Sequence, residues 1–280
     1  MSCDLYCVMG HPVEHSKSPW IHARFAELTA QSLTYSKRQI ALDGLAPALR
    51  SFVAEGGRGC SVTVPFKFEA AALAGKLSER AALAGAANVL SMEGGGIAAD
   101  NTDGVGLVHD IERNAGFALH GKRVLLIGAG GASAGVLGPL ILAGAASLTV
   151  ANRTPGRARA LTERHRSLAL LQKTELLAQD LRAFTGCFDI VINATSSSLE
   201  GAGAPVPAST LGPGALAYDL MYGPAAAAFL RWARASGAVA RDGLGMLVEQ
   251  AAEAFVIWRG VRPPAQQVLA ELRQIMARSP

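Results

Sequence analysis

Lys67 closes the stretch Ser61-Val62-Thr63-Val64-Pro65-Phe66-Lys67, which predicts a strand over Gly59–Val64 and a helix that Pro65 opens. Proline suits a first helical position because its missing N–H would be unpaired there anyway. Lys67 then falls in the first turn, where the helix dipole disfavours a cation. A lysine in such a place is a candidate for proton transfer, against the plainer reading of a solvated surface lysine. A second set, Asp100-Asn101-Thr102-Asp103-Gly104, puts two carboxylates and a threonine at the end of a strand. Such a set grips a polyol or caps a helix. A third is His15-Ser16-Lys17-Ser18-Pro19. Ser18 before proline reads as a helix cap. Ser16 and Ser18 together at a helix start, near the end of a strand, can also hold a carboxylate with two hydroxyls.

The run Val124–Gly135, VLLIGAGGASAG, carries a different chemistry. Four apolar residues read as a buried strand, Gly128, Gly130 and Gly131 as a tight turn, and the small residues from Ala132 onward as the opening of a helix. This order suits a dinucleotide pyrophosphate, because glycines admit the phosphates to the backbone and helix N–H groups point at the charge. The third fingerprint position, usually Gly or Ala, is Ser133. The next strand ends in Asn152-Arg153-Thr154-Pro155-Gly156-Arg157 rather than in the acidic residue that grips the ribose of NAD. Arg153 and Arg157 suit the extra phosphate of NADP, or are two surface arginines. No charged residue interrupts Val124–Asn152, a length that could span a bilayer. Its six glycines, Pro139 and its division into strand, helix and strand argue against a membrane helix.

These residues need elements to position them. The 280 residues predict one or two domains, half of the residues are hydrophobic, and the charge of +4 has no basic block. A nucleic-acid partner is not expected. No signal peptide is read at the N-terminus, and Cys3, Cys7, Cys60 and Cys187 form no C-x-x-C pair, so free thiols in a reducing cytoplasm are expected, with no metal. Strands are predicted at Leu5–Met9, Thr34–Ile40, Asn88–Met92 and Ile97–Ala99, then at Leu148–Ala151, Phe188–Ala194, Ala215–Leu220 and Ala238–Ala240. Helices are predicted at Trp20–Thr29, Leu45–Ala54, Val105–Asn114, from Gly243-Leu244-Gly245 to Arg259, and at Ala265–Ala277. The alternation implies an α/β protein with a parallel sheet covered on both faces, and the helix Val105–Asn114 reads as the bridge between two domains.

The chain resembles the shikimate dehydrogenase family, which reduces 3-dehydroshikimate with NADPH in aromatic amino acid (chorismate) biosynthesis. The resemblance rests on GHPVEHSKSP, SVTVPFK, AGAANVL, DNTDGVG, IGAGGASAG, NRT, INATSSS, YDLMYGP and DGLGMLVEQAAEAF, in the family's order over nearly the whole chain. It implies a discontinuous α/β substrate domain, residues 1–104 and 243–280, around a Rossmann-type NADP-binding domain, 105–242, with the active site in the cleft between. It implies Lys67 and Asp103 as the catalytic pair, with Ser16, Ser18, Thr63, Asn88, Tyr222 and Gln250 on the substrate. Gly128, Gly130, Gly131, Ala132, Asn152, Arg153, Thr154 and Arg157 would hold NADP, Thr195 and Ser196 would line its cleft, and Gly243 and Met246 would lie near the nicotinamide. A monomer or homodimer binding only small molecules follows. Three positions depart from the pattern: Ser61 where Asn is usual, Val89 in the N-T-L motif, and Ala134 where Arg is common. Ser61 leaves quinate or another cyclic hydroxy acid open as substrate. A non-catalytic NADP-binding regulator is the reading from another class, and it would have no need of Lys67 and Asp103.

Overall fold

The computed structural model describes residues 3–183, 185–195 and 204–278. The chain divides into two compact units, one of Met1–Gly106 with Leu247–Pro280, the other of Leu107–Met246. In the first unit β1 (Asp4–Gly10), α1 (Ser18–Leu28), β2 (Leu33–Gln39), α2 (Leu45–Ala54) and β3 (Gly57–Val62) come first. Then follow α3 (Lys67–Leu73), β4 (Lys76–Leu77), α4 (Glu79–Ala84), β5 (Val89–Glu93) and β6 (Gly96–Asp100). The six strands form one sheet in the order β2-β1-β3-β5-β6-β4. β1 runs parallel to β2 and β3, whereas β5 runs antiparallel to both of its neighbours. Side chains alternate between the faces. Cys7, Met9, Cys60 and Val62 pack with Leu45, Leu49 and Phe52 of α2, while Tyr6, Val8 and Tyr35 pack the other way with Trp258.

Helix α5 (Asp103–His109) continues as a π-helical turn, Asp110–Asn114, into the second unit. There β7 (Arg123–Ile127), α6 (Gly131–Leu142), β8 (Ser147–Asn152), α7 (Pro155–Gln172), β9 (Glu175–Asp180) and β10 (Phe188–Asn193) follow. They lead to β11 (Leu211–Asp219), α8 (Ala227–Ala235) and β12 (Val239–Arg241). The strand order is β12-β11-β10-β7-β8-β9 and every pairing is parallel, the parallel sheet that the alternation predicts in the Rossmann-like order that the family resemblance implies. The uncharged run Val124–Asn152 divides into β7, α6 and β8, and among the described residues no helix is long and apolar enough to cross a membrane. Helices α9 (Leu244–Arg259) and α10 (Ala265–Arg278) complete the chain.

The helix starts differ from expectation. Ser18 is itself the first residue of α1, and no side chain caps from Lys17 before it. Instead Ser16 Oγ accepts the Ser18 N–H at 3.3 Å, so Ser16 has the role expected of Ser18. Pro65 does not open α3: the chain first turns, with the Phe66 N–H on Thr63 O at 3.0 Å, and the helix begins at Lys67. That turn also ends β3 at Val62, two residues early. Asp103 is the first residue of its helix rather than its cap, and Asn101 Oδ1 receives its N–H at 3.1 Å.

Candidate active site

The first unit's topology gathers residues that the sequence scatters. Parallel β1 and β3 release their following segments at the same sheet edge, one with Ser16 in the loop and Ser18 at the start of α1, the other with Thr63 in the loop and Lys67 at the start of α3. Antiparallel β5 starts at that edge, where Val62 N–H donates to Asn88 O at 2.8 Å. Antiparallel β6 ends there, and Asp103 follows three residues on. The carboxyl ends of parallel strands are where open α/β sheets take their ligands.

Lys67 Nζ donates to Asp103 Oδ2 at 2.6 Å, with side chains 12% and 1% exposed. Asn88 Nδ2 lies 3.0 Å from Asp103 Oδ1, 3.0 Å from Thr102 Oγ1 and 3.1 Å from Gln250 Oε1 of α9. The Thr102 N–H returns a bond to Asn88 Oδ1 at 2.8 Å. Lys67, Asn88, Asp103 and Gln250 thus form one cluster, with a nearly buried ammonium–carboxylate pair at its centre. Ser16, Ser18 and Thr63 share the sheet edge, but among the described residues no hydrogen bond joins their side chains to the cluster. Ser61 Oγ is held from below by the Tyr35 hydroxyl at 2.8 Å, and burial pushes that phenol's pKa well up. Asn101 is the site residue to which the sequence assigns no role, although it sits inside the DNTDG run beside Thr102.

In the second unit β7 is followed by Gly128, whose φ of +111° favours glycine, and a Cβ there would stand 3.1 Å from Ala194 O after the neighbouring strand β10. A Cβ at Gly130 would meet nothing within 4 Å, and no side chain caps α6, which starts at Gly131 and Ala132. Free N–H groups facing open backbone suit a pyrophosphate. Arg153 and Arg157 are exposed, and neither has a carboxylate partner among the described residues. Arg157 stands in the first turn of α7, where a cation is favoured only by a nearby anion. Asn152 Nδ2 donates to Thr154 O at 3.0 Å, which sets the turn carrying both arginines. Thr195 Oγ1 donates to Asn193 Oδ1 at 2.8 Å, while Ser196 lies outside the described residues. Gly243 lets the chain pass close to Leu220, since a Cβ would stand 2.2 Å from Leu220 O, and Met246 is buried. Tyr222 lies in this unit after β11. These residues fit a dinucleotide with an additional phosphate.

Three family models match the chain in order. "Shikimate dehydrogenase substrate binding domain" covers residues 8–90, "Shikimate / quinate 5-dehydrogenase" 111–200 and "Shikimate 5'-dehydrogenase C-terminal domain" 243–273. A shikimate dehydrogenase (NADP(+)) of Acidovorax ebreus (strain TPSY) is 66% identical over 276 residues, 99% of this chain and 98% of the relative. The chain belongs to the shikimate dehydrogenase family. Among solved structures, an Ael1 enzyme from Pseudomonas putida is 46% identical with a TM-score of 0.84, over 96% of this chain and 98% of that one. The shikimate 5-dehydrogenase of Thermus thermophilus, in complex with NADP(H) and shikimate, is 32% identical with a TM-score of 0.83, over 97% and 99%. Within the shikimate dehydrogenase family, Ser61 marks where this chain's first unit departs from the expected Asn, and Ala134 where the start of α6 departs from the expected Arg.

Proposed function

We propose that Lys67 and Asp103 handle the proton in the reversible reduction of 3-dehydroshikimate to shikimate. The chain is an NADP-dependent oxidoreductase acting on a CH–OH group, a shikimate dehydrogenase. The observation that carries the assignment of roles is the 2.6 Å Lys67–Asp103 pair within bonding distance of Asn88 and, through it, Gln250. NADPH, when bound, supplies the hydride. Lys67 gives its proton to the oxygen on which negative charge gathers and takes it back in the reverse direction. Asp103 holds the Nζ in place through a charge-assisted hydrogen bond.

Thr63, Asn88 and Gln250 hold the ring hydroxyls, Ser16 and Ser18 the carboxylate at the start of α1, and Tyr222 also reaches the substrate. The unit of Met1–Gly106 and Leu247–Pro280 is thus the substrate-binding one. In the NADP-binding unit, Leu107–Met246, Gly128, Gly130, Gly131 and Ala132 take the pyrophosphate. Asn152, Arg153, Thr154 and Arg157 hold NADP, with Arg153 and Arg157 on its 2′-phosphate, Thr195 and Ser196 line the cofactor's path, and Gly243 and Met246 lie near the nicotinamide. The reading includes a cytoplasmic monomer or homodimer, and four free cysteines support the reducing compartment.

A second reading, a quinate-like substrate, is favoured by Ser61, shorter than the expected Asn and already engaged by Tyr35. Initial rates of NADP reduction on shikimate and on quinate decide between them. Faster turnover of shikimate is expected; faster turnover of quinate would overturn the shikimate assignment, and no turnover of either would leave another cyclic hydroxy acid as substrate or the non-catalytic regulator.

A further inference from the structure

Arg80, on α4, lies outside every role assigned above. Its Nε donates to Asp100 Oδ1 at 2.6 Å and its Nη2 to Asp100 Oδ2 at 3.0 Å, a two-pronged fork. Nη1 and Nη2 also each stand 3.3 Å from Glu253 Oε1, and Glu253 Oε2 receives Arg262 Nη2 at 2.6 Å. Neither carboxylate is in the proposed substrate site, yet each adjoins a part of it. Asp100 Oδ1 also accepts the Asn101 N–H at 2.6 Å, and Asn101 Oδ1 in turn accepts the Asp103 N–H at 3.1 Å. Glu253 stands three residues after Gln250 on α9, so the two share a helix face. Gln250 Oε1 meets Asn88, which meets Asp103. The contacts therefore close into a ring: from Arg80 through Asp100 and Asn101 to Asp103, on through Asn88 to Gln250, and back along α9 to Glu253.

An exposed ion pair would mean little. This one is mostly covered, with the Asp100 and Glu253 side chains 18% and 16% exposed. Burial alone would raise both carboxyl pKa values, but Arg80 and Ser78 on Asp100, and Arg262 followed by Arg80 on Glu253, hold both below the ordinary range. Both stay charged at neutral pH, and the fork of a guanidinium can hold two carboxylates where an ammonium offers only a point charge.

We infer that Arg80 is a positioning residue for the reaction: by tying Asp100 to Glu253 it sets how far Gln250 stands from the Asn88–Asp103 pair. The inference rests on the reading of Asn88 and Gln250 as substrate-binding residues. A purely structural clamp would lower stability without selecting a kinetic constant, whereas a clamp on Gln250 moves the shikimate KM.

Glu253→Gln keeps the shape of the side chain and leaves the fork on Asp100 intact, and Arg80→Lys keeps the charge but loses the fork. Shikimate KM, kcat, NADP affinity and thermal midpoint are measured in both variants and in Gln250→Ala with and without Glu253→Gln. Glu253→Gln is expected to raise the shikimate KM about 3- to 10-fold with kcat and NADP affinity within about twofold. Arg80→Lys should do the same or more. On top of Gln250→Ala, Glu253→Gln should change KM by less than about twofold, because the amide it acts through is gone. If Glu253→Gln and Arg80→Lys lower the thermal midpoint alone, the clamp is structural and the inference is overturned. If Gln250→Ala itself leaves KM unchanged, the reading of the substrate site has failed and the inference falls with it, an outcome that does not depend on Arg80 or Glu253.

Discussion

Replacing Lys67 by methionine separates what the Lys67–Asp103 pair does for the fold from what it does for the reaction. Methionine keeps similar bulk but removes the ammonium 2.6 Å from Asp103 Oδ2. The carboxylate, 1% exposed, retains the Asn88 amide on Oδ1, but its Oδ2 has no other partner among the described residues. Breaking one side of a buried ion pair costs about 3–5 kcal/mol of stability, because a charge is left buried and uncompensated. Asp103→Asn in the same chain removes that charge, so the double variant should regain much of the lost stability. Activity should not follow. On the proposed role the carbonyl oxygen has lost its proton donor, and general acid–base help of this kind is worth about 10²–10⁴-fold in kcat. Asp103→Asn alone should also lower kcat, since it frees the lysine from its anchor, and the double variant should lose less than the product of the two single losses. Urea unfolding gives the stabilities, and NADP reduction at saturating shikimate gives kcat. A Lys67→Met enzyme with near-normal kcat would refute the proton-transfer role. So would a double variant that recovers activity along with stability, since the pair would then matter only to the fold.

Arg153→Ala should weaken NADP by about 1.5–3 kcal/mol, the worth of a charge-assisted bond, and leave NAD nearly unchanged; equal losses for both cofactors in a titration would remove Arg153 from the 2′-phosphate. His22 supplies a pH dependence. Burial lowers its pKa from 6.5 to about 3, so between those values only the unfolded chain takes the proton and stability falls as the pH drops below 6.5. The loss from pH 6.5 to about 5 comes to about 2 kcal/mol at about 1.4 kcal/mol per unit. His22→Phe preserves a ring on Tyr35, stacked at 4.2 Å, and should flatten that part of the slope in urea unfolding; an unchanged slope would assign the acid sensitivity elsewhere.

The second unit was the more legible in the sequence because its central strands are buried runs bounded by glycine. Val124–Ile127 and Phe188–Asn193 are apolar almost throughout, and little besides a βα turn accommodates Gly128, Gly130 and Gly131. Strand β9 escaped for the opposite reason: ELLAQD is a half-covered edge strand with no clear period. Lys76–Leu77 is only two residues long, and the six residues of α4 are too few to show helical periodicity. Helix starts are set by individual bonds, such as Ser18 N–H to Ser16 Oγ, which a serine-rich loop offers in more than one register. In the site, each motif was visible but the pairing was not. Asn88 and Gln250 are 162 residues apart, and only the sheet order with α9 beside it brings them together. Arg80 lies in none of the motifs, Glu253 lies inside DGLGMLVEQAAEAF without a role of its own there, and their link is legible only in the folded chain.

The residues at the sheet edge explain why an alcohol–ketone couple suits this cluster. Asn88 Nδ2 has two hydrogens and three acceptors around it, Thr102 Oγ1, Asp103 Oδ1 and Gln250 Oε1, so at least one acceptor is under-served. Lys67 Nζ has three hydrogens, and Asp103 uses one. A ketone oxygen can only accept, and the ammonium has N–H groups to give it. The alcohol that replaces it brings a hydrogen of its own, which the now neutral amine or a spare acceptor can receive. On the proposed assignment, both ends of the reaction would be met by the same atoms without rearranging the network. The proposed role also accounts for a lysine rather than an arginine at position 67. A guanidinium would pair with Asp103 as well, but it does not give up its proton in proteins. What the position demands is a cation that can become neutral, held by a carboxylate that stays fixed.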